Sequence, residues 1–111
     1  MADNFKRLGT PCAPGAAYTV LYTVPASKMS VVTVHICNRS SSVKQHRVAL
    51  VSDGEATNPP PNANFLSYDN DLQANIPQQI TGIAMGTGYR IVVYGSDANV
   101  SFSAWGDEMD A

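Results

Sequence analysis

The chain has 111 residues, of which 44% are hydrophobic and 14% charged, a size and composition that suit one compact domain rather than two. Seven basic and nine acidic side chains give a net charge of −2, which argues against a protein that neutralises many phosphates of a nucleic acid. No stretch approaches the ~18 consecutive apolar residues of a membrane span, and the first residues lack the apolar run of a secretory signal. We therefore expect neither membrane insertion nor secretion.

The charges are unevenly distributed along the chain. Residues 1–50 carry six basic side chains and one acid, a net of +5, whereas residues 51–111 carry one basic side chain and eight acids, a net of −7. This polarity predicts one of two outcomes. Either copies of the chain attract one another through oppositely charged segments, or the two halves interleave in one fold and the charges largely cancel.

Short segments rich in β-branched and aromatic residues follow one another along the chain, and helical periodicity is nearly absent. In chain order, strands are predicted at residues 17–24, 29–37, 43–51, 65–68, 73–81, 89–94 and 99–105. Turn-forming residues separate these strands at intervals of roughly 8–12 residues. The pattern predicts an all-β fold, a single antiparallel β-sandwich or small barrel of about seven to eight strands.

Three regions complete the predicted domain organisation. Residues 1–16 are expected to form an extended N-terminal arm, residues 17–106 the β-sandwich, and residues 107–111 an acidic C-terminal tail. Residues 52–64, rich in Pro and Asn, are expected to form a long solvated loop.

Local patterns add detail to the predicted strands. In the second strand, residues 32, 34 and 36 share one face, while residues 31, 33, 35 and 37 share another that is apolar enough to be covered by the arm or a neighbouring subunit. The serine-rich link to the third strand predicts a hairpin. Asp69–Asp71 is expected to form a turn, and Pro77 suits an edge strand.

Cys12 and Cys37 are too few for a disulfide scaffold and lack the spacing of metal ligands. One interpretation is that they are reduced, partly buried thiols. The alternative is a disulfide bridge, formed within one chain or between two chains after release from a reducing cytosol.

The search for catalytic or metal-binding groups yields no complete site. His35 and Cys37 share one strand face, but no two further metal ligands and no orienting acid accompany them, and His46 stands apart. The glycines of residues 82–88 lack the Lys-Ser/Thr of a phosphate-binding loop. We therefore predict a non-enzymatic protein without a metal or cofactor, which acts by presenting surfaces.

One candidate binding surface is aromatic. Trp105 and Tyr94, together with the 52–64 loop, could form a platform for sugars, which would make the protein a carbohydrate-binding or receptor-binding β-sandwich module. Packing within a small core or between subunits is the competing role for these rings.

Five short segments together resemble a family of small structural proteins of tailed bacteriophages. They span nearly the whole chain and are Asn4–Thr10, Val20–Pro25, Val34–Ser40, Tyr68–Asp69 and Asn99–Gly106. The resemblance implies a virion component present in multiple copies, at the head surface, the neck or the tail, and it carries over no functional residue.

On this resemblance we expect an accessory structural protein, made in the host cytoplasm, that forms homo-oligomers and stabilises the particle. Its expected partners are copies of itself and capsid or tail proteins, with no nucleic acid and no membrane. The residues predicted to contact neighbouring subunits are Phe5, Lys6, Arg7, Leu8 and Trp105.

Overall fold

Eight β-strands make up most of the chain. The structure, a computed structural model, describes residues 5–111. In chain order the strands are β1 (Phe5–Cys12), β2 (Thr19–Thr23), β3 (Lys28–Asn38), β4 (Lys44–Val51), β5 (Phe65–Leu72), β6 (Gln78–Met85), β7 (Arg90–Gly95) and β8 (Val100–Asp110). The helical structure among these residues is a single 3-10 turn, Asn62–Asn64.

The strands form two four-stranded antiparallel sheets that pack face to face. Sheet A has the order β1-β8-β3-β6, and sheet B has the order β2-β7-β4-β5. This arrangement confirms the predicted antiparallel β-sandwich. The strand predicted at residues 73–81, with Pro77 inside it, instead runs from Gln78 to Met85, so Pro77 lies just before β6; the expected edge position holds, since β6 ends sheet A.

Alternation of side chains explains the position of the core. Along β3, residues 30, 32, 34, 36 and 38 are buried, while residues between them are exposed or half-buried. An extended strand places successive side chains on opposite faces, so one half of each strand faces the other sheet. Among the core residues are Leu8, Leu21, Val24, Val32, Val34, Ile36, Val48, Leu72, Ile91, Val93 and Phe102.

The predicted hairpin between the second and third strands is wrong, because β3 and β4 lie in different sheets. Residues 39–43 cross from one sheet to the other. The Asn38 amide fixes the crossing by donating to the carbonyl oxygens of Ser42 at 2.7 Å and Leu72 at 2.9 Å. A short polar link therefore serves here to join two layers rather than two paired strands.

The predicted N-terminal arm is not confirmed. Phe5–Cys12 forms β1, which pairs antiparallel with β8 as an edge of sheet A. The alternation of β1 turns Leu8 into the core, where it is 2% exposed. Residues 1–4 of the predicted arm lie outside the described residues.

The predicted acidic tail is wrong over residues 107–110, which form the end of β8. This strand pairs with β3 from Lys28↔Asp110 to Asn38↔Val100. The predicted turn at Asp69–Asp71 is also wrong, because these residues belong to β5. Asp69 has a φ of 51° beside an irregularity in the pairing with β4, so the local turn tendency appears as a bulge.

The basic and acidic halves of the chain interleave in the sandwich. Ion pairs join the first half to the second at Lys6–Glu108 (3.5 Å), Lys28–Asp110 (2.6 Å), Lys44–Asp97 (2.7 Å) and Arg47–Asp69 (2.6 Å). Of the two outcomes predicted from the uneven charge distribution, the structure therefore shows the second, in which opposite charges largely cancel within one molecule.

Candidate functional site

The outward surface of sheet A carries several exposed apolar side chains, and we call this surface face A. Its members include Phe5, Arg7, Met29, Val31, Thr33, His35, Cys37, Ser103, Trp105 and Asp107. Phe5 is 71% exposed, Val31 42% and Trp105 40%. Large apolar side chains in this number on one sheet face are typical of a contact surface.

Strand register places Trp105 at the middle of face A. It lies opposite Arg7 on β1 and opposite Thr33 on β3. One side of the indole borders an open groove of about 600 Å³, whose walls include Phe5 and His35. The Gln79 amide donates to Nε2 of His35 at 2.6 Å, which fixes the ring at the far side of that groove.

The five residues predicted to contact neighbouring subunits separate into three groups. Phe5, Arg7 and Trp105 lie together on face A. Lys6 alternates to the other side of β1 and pairs with Glu108. Leu8 is a correction, because its side chain packs in the core and is not available at the surface.

Cys12 and Cys37 are free thiols in this structure. The Cys12 side chain packs against the core, and burial raises its pKa, whereas Cys37 is exposed on face A. Strand β8 separates their strands, so the two Cα atoms are about two interstrand spacings apart, beyond the ~7 Å reach of a disulfide. An intrachain bridge therefore does not form, and a bridge between chains stays a prediction.

The two histidines lie in different sheets. His35 is on face A, whereas His46 is 1% exposed between the sheets, with Nε2 2.9 Å from the hydroxyl oxygen of Ser67. Burial lowers the pKa of His46, and its Nδ1 has no hydrogen-bond partner among the described residues. Over residues 5–111, no group of three or more His, Cys, Asp or Glu side chains could hold a metal ion.

The outer surface of sheet B carries a second cluster, which we call face B and define as Tyr18, Arg47, Phe65, Tyr68 and Tyr94. The guanidinium carbon of Arg47 lies 4.3 Å from the ring centroid of Tyr68 and 4.5 Å from that of Tyr94. Its nitrogens donate to Asp69 and to the hydroxyl of Tyr18. Stacking and hydrogen bonding together hold the rings around one charged group.

Phe65 extends face B toward the 52–64 loop. Its ring meets Tyr68 edge to face at 4.9 Å and lies 6.2 Å from Tyr18. Tyr68 is 54% exposed, and an open pocket is bordered by Phe65, Tyr68 and Asn62. Exposed rings fixed in this way can bind a ligand with little loss of side-chain entropy.

The predicted platform of Trp105 with Tyr94 is wrong as a single surface, because the two rings lie on different sheets. Sequence reasoning missed Arg47 as the centre of face B. The sequence signal for Arg47 was its position in β4, because Arg47, Ala49 and Val51 alternate with the core-facing residues and so lie on the outer side of the sheet. Both are fully buried beneath Tyr18 and Phe65 although they lie on the outer side of the sheet.

A separate, polar cluster lies where β1 and β2 approach each other. The Tyr22 hydroxyl donates to a Glu108 carboxylate oxygen at 2.6 Å and lies 2.7 Å from the hydroxyl oxygen of Ser30. Burial, together with the hydrogen bond to Glu108, raises the pKa of Tyr22 to about 12. The cluster connects β2 of one sheet to β3 and β8 of the other, which is a structural role.

No family model, curated protein or solved structure matches this chain. Within the part of the chain that the structure describes, no helix is both long and apolar enough to span a bilayer.

Proposed function

We propose that this protein is a non-enzymatic structural component of a tailed-bacteriophage particle. In this proposal it is present in multiple copies and binds capsid, neck or tail proteins through face A. The sequence resemblance to small phage structural proteins supports the viral assignment. The exposed aromatic side chains of face A support a role in which the protein presents a surface.

The observation that carries the proposal is the half-exposed Trp105 beside Arg7 and Phe5. Trp and Arg are the residue types that most often dominate the energy of protein interfaces. Face A is also low in charge, since Arg7 and Asp107 are its charged members among the described residues. A flat sheet surface with an aromatic centre and few charges loses little by desolvation when a partner covers it.

Purified particles of the phage that encodes the chain provide the test. We expect mass spectrometry to detect the protein in the particle, and imaging to locate it at the head, neck or tail. Because Trp105 is the single tryptophan, its fluorescence reports on face A directly. We expect its emission to shift to shorter wavelength when the protein binds the particle.

Variants then identify the surface. Phe5→Ser with Val31→Ser removes two exposed apolar side chains of face A and keeps Trp105 as the probe. Leu66→Ser, at a side chain 46% exposed on β5 of sheet B, is the matched control. We expect the double variant to lose incorporation and the control to keep it. Absence of the wild-type protein from particles, or full incorporation of the double variant, would contradict the proposal.

Face B supports a second candidate, a carbohydrate-binding or receptor-binding module. The supporting observation is the preorganised pair of Phe65 and Tyr68, whose rings border an open pocket beside Asn62. Aromatic rings next to an amide side chain can stack on a sugar and hydrogen-bond its hydroxyl groups. A glycan array tests this candidate, with Tyr68→Ala expected to abolish binding and Trp105→Ala to preserve it. A silent array would remove it.

A further inference from the structure

Among the described residues the sandwich has four edge strands, of which β2 and β6 carry no charge, and β6 is the longer of these two. Residues 72–89 contain no Asp, Glu, Lys or Arg, and β6 lies in the middle of this segment. Within residues 5–111 its one pairing partner is β3, so its other side presents backbone N–H and C=O groups that no described strand pairs with. An edge without charges is a template for another strand, which natural proteins usually block with Lys, Pro or other devices.

Charge or local geometry blocks two of the remaining edges. Strand β1 carries the charged residues Lys6 and Arg7, and its Pro11 has no backbone N–H to donate to another strand. Strand β5 carries Asp69 and Asp71. A second copy placed antiparallel against either strand would bring like charges together across the junction.

The last edge, β2, is short and covered. It has five residues, against eight in β6. Strand β1 passes directly against it, since a Cβ atom added at Gly9 would overlap the carbonyl oxygen of Leu21. Among the strands that the structure describes, β6 is therefore the edge that can pair with its own copy without repulsion or obstruction.

We propose that β6 pairs antiparallel with β6 of a second copy of this chain. This inference rests on the proposed function, because it names the surface through which copies assemble. The two sheets A would join into one continuous eight-stranded sheet related by a two-fold axis. In such a pairing the two faces A lie on the same side, so the dimer presents a doubled contact surface to the particle.

The side chains of β6 are compatible with this arrangement. Gln79, Thr81 and Ala84 are exposed and neutral, so each can face its counterpart or a neighbour across the axis. Gly82, with a φ of +70°, marks a bulge opposite Val32–Val34, and a Cβ atom added there would meet open space. The bulge divides the edge into two pairing segments, residues 78–80 and 83–85, on either side of it.

Two added lysines test the inference. The variant Thr81→Lys/Ala84→Lys places positive charges on β6, and the control Thr10→Lys/Thr23→Lys adds the same charges at exposed positions of β1 and β2. We expect sedimentation equilibrium to show a wild-type dimer, a β6 variant whose self-association is weaker by about tenfold or more, and an unchanged control. Circular dichroism checks that both variants keep the β-fold.

Amide hydrogen exchange of the wild-type protein provides a second measurement that needs no variant. Raising the protein concentration should slow exchange in residues 78–85 and leave residues 65–72 of β5 unchanged. Equal association of the β6 variant and wild type, a wild-type monomer at all concentrations, or no change of exchange in β6 would each overturn the inference.

The outcomes separate this inference from the proposed function. A protein that is incorporated into particles through face A but stays monomeric contradicts the β6 pairing and leaves the structural role standing. A protein that dimerises through β6 but is absent from particles confirms the pairing and contradicts the viral role.

Discussion

Arg47 and Asp69 form a two-point ion pair on the adjacent strands β4 and β5. Nε of Arg47 lies 2.6 Å from Oδ1 of Asp69, and Nη2 lies 3.1 Å from Oδ2. The planar fork of the guanidinium matches the carboxylate, and this geometry holds the group flat between two tyrosine rings. One basic residue of the first half of the chain therefore organises the aromatic residues of face B.

The first prediction concerns the fork of Arg47. Arg47→Lys keeps the charge but loses the two-point contact and the flat surface for stacking, so we expect the free energy of unfolding to fall by about 1 kcal/mol. Urea denaturation measures this change. Arg7→Lys, at an exposed position of β1, is the matched control and should change the stability little. If both substitutions lowered the free energy of unfolding equally, the two-point contact of Arg47 with Asp69 would contribute no specific stability.

The second prediction concerns the buried His46. Because burial lowers its pKa in the folded protein, the unfolded chain takes up a proton first as the pH falls below about 6.5. Stability is therefore expected to decrease between about pH 7 and pH 5. The variant His46→Gln has no proton to take up there, so its melting temperature should vary less over this interval.

Asp69→Asn is the control for the pH dependence of His46. The hydrogen bonds from Arg47 lower the pKa of the Asp69 carboxyl, so the stability it contributes is complete above the unfolded pKa and lost only at more acidic pH. This variant should keep the wild-type pH slope between about pH 7 and pH 5. A slope that is unchanged in His46→Gln would show that His46 does not carry the effect.

The third prediction concerns the hydroxyl group of Tyr22. Tyr22→Phe removes its hydrogen bonds to Glu108 and Ser30 and is expected to cost about 1–2 kcal/mol of stability near neutral pH. Because the pKa of Tyr22 is raised to about 12, its contribution is complete below the unfolded pKa of about 10 and lost as the pH rises toward the folded value. Stability curves at alkaline pH should therefore be flatter for Tyr22→Phe than for wild type. Tyr68→Phe, at a half-exposed ring, should behave as wild type at either pH.

The fourth prediction concerns the close approach of β1 to β2 at Gly9. A Cβ atom there would overlap the carbonyl oxygen of Leu21, and the φ of +66° adds backbone strain, so we expect Gly9→Ala to destabilise the fold by about 3 kcal/mol or more. Gly54→Ala has a similar positive φ with nothing within 4 Å, so it should cost only about 1 kcal/mol. Thermal denaturation distinguishes the two variants. Similar losses in both would mean that backbone strain alone, without overlap, accounts for the effect.

Local patterns in the sequence were sufficient for the fold class. The alternation around Val32, Val34 and Ile36 predicts a strand with one buried face, and the structure confirms it. Pro77 predicts an edge strand because its nitrogen cannot donate, and β6, which begins directly after Pro77 rather than containing it, is an edge. These features depend on backbone geometry and side-chain periodicity, which neighbouring residues determine.

The partner of each strand was decided by the tertiary structure. A short polar link suits a hairpin and a crossing between layers equally, so the sequence between β3 and β4 could not distinguish them. The first segment was expected to form an extended arm and the last an acidic tail, yet β1 pairs with residues 102–107 of β8, across almost the whole chain, and β8 pairs along its full length with β3. Pairing over such sequence distances depends on the core that both strands cover.

The same division applies to charge and to the surfaces. The sequence by itself determined that opposite charges lie in opposite halves of the chain, with Lys6 near one end and Glu108 near the other. Only the tertiary structure decided that these charges meet within one molecule, because antiparallel pairing places β1 beside β8. It likewise placed Trp105 and Tyr94 on opposite outer faces, since their strands belong to different sheets.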